Sequence, residues 1–286
     1  MIKFFVDAYA DMFEPELSKN GMFLAPSKIE YNDEIIEFSG YTPEFEEKYP
    51  KIKLSECKIV PLTSEDWINF FDKEAALGDE IIYFSPAFRV LQDKGEALKS
   101  AFEKLQSNYP NQKIIAIDSH TVSRGISEIA LNTKLVYQKS NDLAKALNFA
   151  NTVIEKYVSL ISVDSATNLK TSQVFKDAMK NFTGATLNIR PILCADTNCK
   201  FRVLDKAKTF SQAVAKLYSN TKLNGQNIAD YTFSVVHYNA EKEATDLFNR
   251  FRKIVGPSEI RLVKLSLNNA ILVGGKCVGI TFHSKY

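Results

Sequence analysis

A chain of 286 residues is long for one hydrophobic core and comfortable for two domains. With 45% hydrophobic and 24% charged residues it has the composition of an ordinary globular protein; its 36 basic residues are scattered rather than gathered in a stripe, and a net charge of +2 makes no electrostatic case for nucleic acid. Asp7 and Asp11 interrupt the first apolar run too early for a signal peptide, and no apolar stretch approaches the roughly 20 residues of a membrane span, so a cytoplasmic protein without stable membrane insertion is expected.

Residues 2–6 form a short apolar run that predicts a buried strand ending at Asp7. Residues 35–38 and 59–62 are further short extended pieces. A helix is predicted to start at Ser64, with Ser64 as its cap, Glu65 and Asp66 in its first turn, and Trp67, Phe70 and Phe71 on one face. Residues 80–84 predict a second core strand, closed by Ser85-Pro86, and Ala97, Leu98, Ala101, Phe102 and Leu105 follow at helical spacing until Tyr109-Pro110-Asn111. Residues 113–117 are the clearest strand, ending in Asp118-Ser119; helices are predicted over about 122–137 and 142–154. This alternation implies a parallel sheet with helices on both faces, in which ligands sit beyond the carboxyl ends of the strands. Asp7, Ser85 and Asp118-Ser119 occupy those ends.

The second half has a different grammar. Residues 187–194 and 200–204 read as strands of a hairpin, 210–217 as a helix, 231–237 as a strand and 240–254 as an amphipathic helix, with 259–265, 270–273 and 279–282 completing a sheet. The pattern predicts an α+β domain, with the boundary between domains near 158–164. Of the four cysteines only Cys194 and Cys199 are close in sequence, and a closed zinc site wants four Cys or His ligands, so free thiols and no metal are expected.

The ordered set of Asp7 with Asp11, Thr63-Ser64, Ile117-Asp118-Ser119 with Ser123 and Gly125, Leu187-Asn188-Ile189-Arg190-Pro191-Ile192-Leu193, and the strand 233–237 before an acidic helix resembles the DegV family across nearly the whole chain. The resemblance implies an N-terminal α/β domain over 1–158, a parallel sheet between helices, and a C-terminal α+β domain over 159–286. It also implies a long-chain fatty acid held in a cleft between the two. Members of the family are carriers: they present the acyl carboxylate to a separate fatty acid kinase, which supplies nucleotide and catalysis. No cofactor beyond the fatty acid is therefore expected, and no enzymatic activity.

The lipid-binding positions carried over are Thr63, Ser64, Ser85, Arg89, Asp118 and Ser119. Thr63 is either a carboxylate donor or only part of a helix cap. The family's Ser-Ser-x-Leu-Ser-Gly-Thr loop falls on residues 84–90, which keep Ser85 but carry Phe88-Arg89 in place of Ser-Gly. Arg89 is either a bidentate carboxylate partner or a solvated side chain. The family's Gly-Gly-Arg falls on Ser172-Gln173-Val174, and its late His falls on Leu272, so a cation and an imidazole are missing. The alternative is accordingly a diverged scaffold or interaction protein that binds no acyl chain or a different small amphiphile; Phe88, Val174 and Leu272 filling the cleft would favour it.

Nothing converges into a catalytic site. Ser119 and His120 are sequence neighbours whose side chains diverge, and His237 at a strand end reads as structural. Asp7 and Asp118 end candidate neighbouring strands, where they either share a metal or proton or accept loop amides. No Walker loop and no Gly-x-Gly-x-x-Gly opens a helix.

Overall fold

The computed structural model describes residues 1–91, 93–170, 172, 174–182, 188–196, 199–221 and 227–285, without the side chains of Arg89, Asp93 and Lys94. The chain divides into two compact units, Met1–Ile154 with Ser266–Asn268, and Glu155–Leu265 with Asn269–Tyr286.

The first unit is built on a parallel sheet. Strands β1 (Ile2–Val6), β2 (Phe23–Leu24), β6 (Glu80–Ser85) and β7 (Ile114–Asp118) lie in the order β2-β1-β6-β7, and β1 pairs with β6 from Ile2↔Glu80 to Val6↔Phe84. Both faces are covered, which explains why these strands are continuous apolar runs rather than alternating ones. On one face Phe5, Ile81, Tyr83 and Ile114 meet helices α3 (Ser64–Ala76) and α5 (Asp93–Asn108). Trp67, Phe71 and Ala75 recur every four residues along α3 and supply its buried stripe. Phe71 sits at its centre, with ring centroids 5.1 Å from Phe5 and 5.0 Å from Phe102. On the other face α6 (Arg124–Ser140) packs on β1 and β6. The loop after β1 carries the short helix α1 (Glu16–Asn20). A small antiparallel sheet, β4 (Glu34–Glu37), β3 (Lys28–Tyr31) and β5 (Cys57–Val60), is inserted between β2 and α3, with α2 (Pro43–Lys48) in its connection. Residues 35–38 and 59–62, expected as short extended pieces, overlap the outer strands of this sheet, and β3 between them was not foreseen.

The second unit is a six-stranded sheet in the order β10-β9-β8-β13-β11-β12, formed by β8 (Val158–Val163), β9 (Arg190–Ala195), β10 (Phe201–Ala207), β11 (Tyr231–Tyr238), β12 (Ile260–Lys264) and β13 (Cys277–Ser284). All pairs are antiparallel except β11 with β12, which is joined by the crossover helix α10 (Glu241–Val255). Helices α10 and α9 (Phe210–Asn220) cover one face, around Leu247, Phe251, Phe233 and Leu217.

The protein is thus α/β with a parallel-sheet unit and a second sheet unit, as expected. One reading of local structure is corrected. Residues 270–273, expected as a strand, end the helix α11 (Leu267–Val273): a four-residue apolar run has no periodicity that separates strand from buried helix. The segment near which the boundary was expected begins with β8, the first strand of the second unit; Ser159 and Ser162 break the apolar pattern there, and both are buried, the first bonded to the Thr281 hydroxyl and the second donating to the Pro191 carbonyl. Of the expected hairpin strand 187–194, Leu187 lies outside the described residues.

Candidate functional site

Three strand ends of the parallel sheet carry the polar groups expected there. Asp7, just past β1, is 5% exposed. Its Oδ1 accepts the Tyr9 amide at 2.9 Å, and its Oδ2 accepts the Tyr83 hydroxyl from the adjacent strand β6. Burial raises the Asp7 pKa to about 6 against the opposing pull of these hydrogen bonds. Burial and the Asp7 charge in turn hold both Tyr83 and Tyr9 well above the usual phenol range. At the end of β6, Ser85 is fully buried and its hydroxyl faces the carbonyls of Pro86 at 2.9 Å and Ile117 at 3.2 Å. At the end of β7, Asp118 Oδ1 accepts the amides of Phe88 at 3.2 Å and His120 at 2.9 Å, and the Ser119 hydroxyl faces the Thr121 carbonyl at 3.4 Å. Asp7 and Asp118 do not end neighbouring strands, because β6 lies between β1 and β7. Two strand spacings, roughly 10 Å, separate them, which removes a shared metal or proton. Among the described residues no group of three or more His, Cys, Asp or Glu side chains is arranged to hold a metal ion. Cys57, Cys194, Cys199 and Cys277 are buried, and none of them is in a disulfide.

A pocket opens beside Asp7, within the first unit. It is a small, open-mouthed slot, lined by Tyr9, Pro26, Ile59, Val60, Pro61, Leu62, Trp67 and Leu91 as its carbon-rich walls, and by Asp7, Ser27, Lys28 and Asn268 as its polar positions. Ligand sites are commonly lined in this way, mostly by apolar side chains with a few placed polar groups. The polar positions are internally committed. Asn268 accepts the Ser27 hydroxyl at 3.0 Å, and its side chain also hydrogen-bonds Tyr9. Lys28 Nζ is 2.7 Å from Asp66 Oδ1; Lys28, then the Thr63 amide and hydroxyl, hold the Asp66 carboxyl down at about 2.

Among the described side chains, none of the sequence-derived positions lines this pocket. Thr63, not Ser64, caps α3: its Oγ1 accepts the Asp66 amide at 3.1 Å, while Asp66 Oδ2 accepts the Thr63 amide at 2.9 Å and hydroxyl at 2.8 Å. The correction follows from the capping box, which needs an acidic or amide side chain three residues after the cap; Asp66 stands three after Thr63 and Trp67 three after Ser64. Ser64 donates to the Ala97 carbonyl at 2.9 Å. Arg89 lies in the short helix α4 (Phe88–Leu91), and its side chain is outside the described residues. Phe88, Val174 and Leu272 are each half-buried. Thr63→Ala is expected to destabilise the first unit by about 1 kcal/mol through the lost cap. Urea unfolding followed by tryptophan fluorescence measures this, and fatty acid affinity measured on the same variant separates a pure cap from a ligand donor.

What the residues alone did not disclose is the polar end of the slot. Ser27 and Asn268 are 241 positions apart, and nothing in either local sequence marks them. Asp7 was legible as a strand end, but its partner Tyr83 lies within an apolar run.

The comparisons with known proteins concern the whole chain. A DegV domain-containing protein of Clostridium perfringens is 26% identical over 236 residues, 80% of this chain and 81% of its own. A DegV lipid-binding protein from Thermotoga maritima superposes with a TM-score of 0.82 at 15% identity, covering 99% of this chain and 98% of that one. A stearic acid-binding protein from Eubacterium ventriosum gives 0.82 at 14% identity, covering 100% and 99%. The family model for DegV proteins matches residues 1–285, and the chain belongs to the DegV family.

Proposed function

We propose that this protein is a non-catalytic carrier that binds a long-chain fatty acid in the apolar slot of its first unit. The observation that supports it is the slot itself: a narrow, carbon-lined pocket at the carboxyl end of a parallel sheet, in a chain whose relatives include a stearic acid-binding protein. Burial at about 0.8 kcal/mol per methylene gives on the order of 12 kcal/mol gross for a chain of about sixteen carbons. Association takes back a large part of this, and the surplus is affinity that an apolar slot supplies without special chemistry. In the finer form of this proposal, the bound acid is handed to a separate fatty acid kinase, and Thr63, Ser64, Ser85, Arg89, Asp118 and Ser119 border the head-group end. Native mass spectrometry of protein purified from bacterial cells is the direct test: an added mass matching one long-chain acid is expected. Protein of bare-chain mass that also takes up no fluorescent fatty acid would leave the alternative, a scaffold of the same fold without a lipid. The hydroxyls of Thr63 and Ser85, both already facing protein acceptors, favour that alternative.

Trp67 is the sole tryptophan of the chain and lines the slot at 5% exposure. Adding a long-chain acid to delipidated protein should therefore shift its emission saturably, with one ligand per chain. Emission that does not change while mass spectrometry reports binding would place the acyl chain elsewhere.

A further inference from the structure

The polar end of the slot constrains what charge its ligand carries. Among the described residues, the one carboxyl of its lining has no cation beside it: Asp7 accepts the Tyr83 hydroxyl from β6 and the Tyr9 amide, and Tyr9 and Tyr83 both remain neutral far above physiological pH. The cation that the described lining contains is Lys28, and its ammonium is already paired with Asp66 at 2.7 Å. Ser27 and Asn268 hydrogen-bond each other. Each Asp7 oxygen accepts one hydrogen bond and keeps acceptor capacity for another, so the pocket presents an acceptor at the head-group end. An ionised acyl carboxylate placed against it would set two like charges side by side in a region of low polarity. Two carboxyls that share such a site do not both ionise.

We infer, building on the lipid-binding proposal above, that the slot holds its ligand with an uncharged O–H at the polar end, a fatty acid as the protonated acid, with Asp7 as the hydrogen-bond acceptor. The proton comes from solvent. In water near pH 7.5 the free acid is ionised and so is Asp7, whose pKa is about 6; the bound pair retains one proton, so each acid bound takes up about one proton. A fatty alcohol offers the same O–H and needs no proton. A methyl ester offers none.

Isothermal titration of delipidated protein with dodecanoic acid, dodecanol and methyl dodecanoate, each below its aggregation concentration, tests this. Runs in two buffers of different ionisation enthalpy read the proton uptake. The expected result at pH 7.5 is an uptake near one proton for the acid and near zero for the alcohol, with acid affinity falling about tenfold per pH unit from pH 7 to 8.5. The ester should bind at least tenfold more weakly than the alcohol. Asp7→Asn should remove the proton uptake and flatten the pH dependence. Acid binding without proton uptake, at an affinity constant from pH 7 to 8.5, would overturn the inference while leaving the lipid carrier intact. Loss of that constant affinity in Arg89→Ala would reassign the head group to Arg89. If none of the three ligands binds and the purified protein carries no lipid, the carrier proposal itself falls, and this inference with it.

Discussion

Arg124→Ala should destabilise the first unit by about 3–5 kcal/mol, the loss typical of a buried ion pair stripped of one partner. Arg124 opens α6 and is completely buried. Its guanidinium forms a fork on Glu16, at 2.8 and 2.9 Å, reaches Glu128 one turn along its own helix at 3.2 Å, and donates to the Asp11 carbonyl at 3.3 Å. Burial works against its charge, but Glu128 and Glu16 hold its pKa above the usual guanidinium value. The neighbouring groups extend the same network: the Ser123 hydroxyl donates to Asp11 Oδ2, and the Ser266 amide donates to Asp11 Oδ1 at 2.6 Å. The arrangement ties the loop after β1, which carries Asp7, to the start of α6. Removing the arginine leaves Glu128, 5% exposed, as a buried charge without its cation. Glu16 is about one-third exposed at its side chain and can turn to water. The double variant Arg124→Met with Glu128→Leu should therefore recover much of the loss, because removing both buried charges removes both desolvation penalties. Chemical denaturation of the three proteins, read by Trp67, measures it. A single-variant loss below about 1 kcal/mol would mean the glutamates find water in the folded state.

How much of this was legible beforehand follows from physical range. The strands β1, β6 and β7 are apolar runs closed by Asp7, Ser85 and Asp118, so periodicity and end groups locate them within a residue or two. The DegV resemblance rests on residues such as Asp11, Ser123 and Gly125, whose reasons become visible only in three dimensions. A Cβ on Gly125 would stand 2.5 Å from Thr121 Oγ1, so the helix can start there only without a side chain. Asp11 and Ser123 are 112 positions apart and meet as a hydrogen-bonded pair. The candidate site was half legible for the same reason. Thr63 has a local signature, Asp66 three residues on, and that signature announces a cap more strongly than a ligand donor. Lys28 sits in a strand too short and too charged to be read as one, and Asn268 sits in a helix whose last four residues read as a strand. Groups whose role depends on long-range pairing leave no local periodicity to find.

Asp7→Asn should make the ligand-free protein more stable at pH 8, by about 1–3 kcal/mol, and the gain should disappear on acidification. Asp7 has its pKa raised from 3.8 to about 6 in the fold, chiefly by burial. A raised carboxyl pKa means that the folded state binds the proton more tightly than the unfolded chain does. The stability this group contributes is therefore complete below about pH 4, declines as pH rises through about 6, and is absent above about pH 7. The full swing, about two pKa units at 1.36 kcal/mol each, is roughly 3 kcal/mol. Asparagine is neutral throughout and nearly the same size, so it escapes that loss. It has one acceptor oxygen where aspartate has two, and the Tyr83 hydroxyl must then accept from the new amide rather than donate, which is why less than the full swing is expected. The difference between the two proteins isolates Asp7 from every other titrating group. Urea unfolding of both at pH 4, 5, 6, 7 and 8, followed by Trp67, should give a difference that opens chiefly between pH 4 and 6 and is level above pH 7. An asparagine variant less stable than the parent at pH 8 would mean that the carboxylate is held by donors stronger than Tyr83 and the Tyr9 amide, and the slot beside it would then accept a charged head group without taking up a proton.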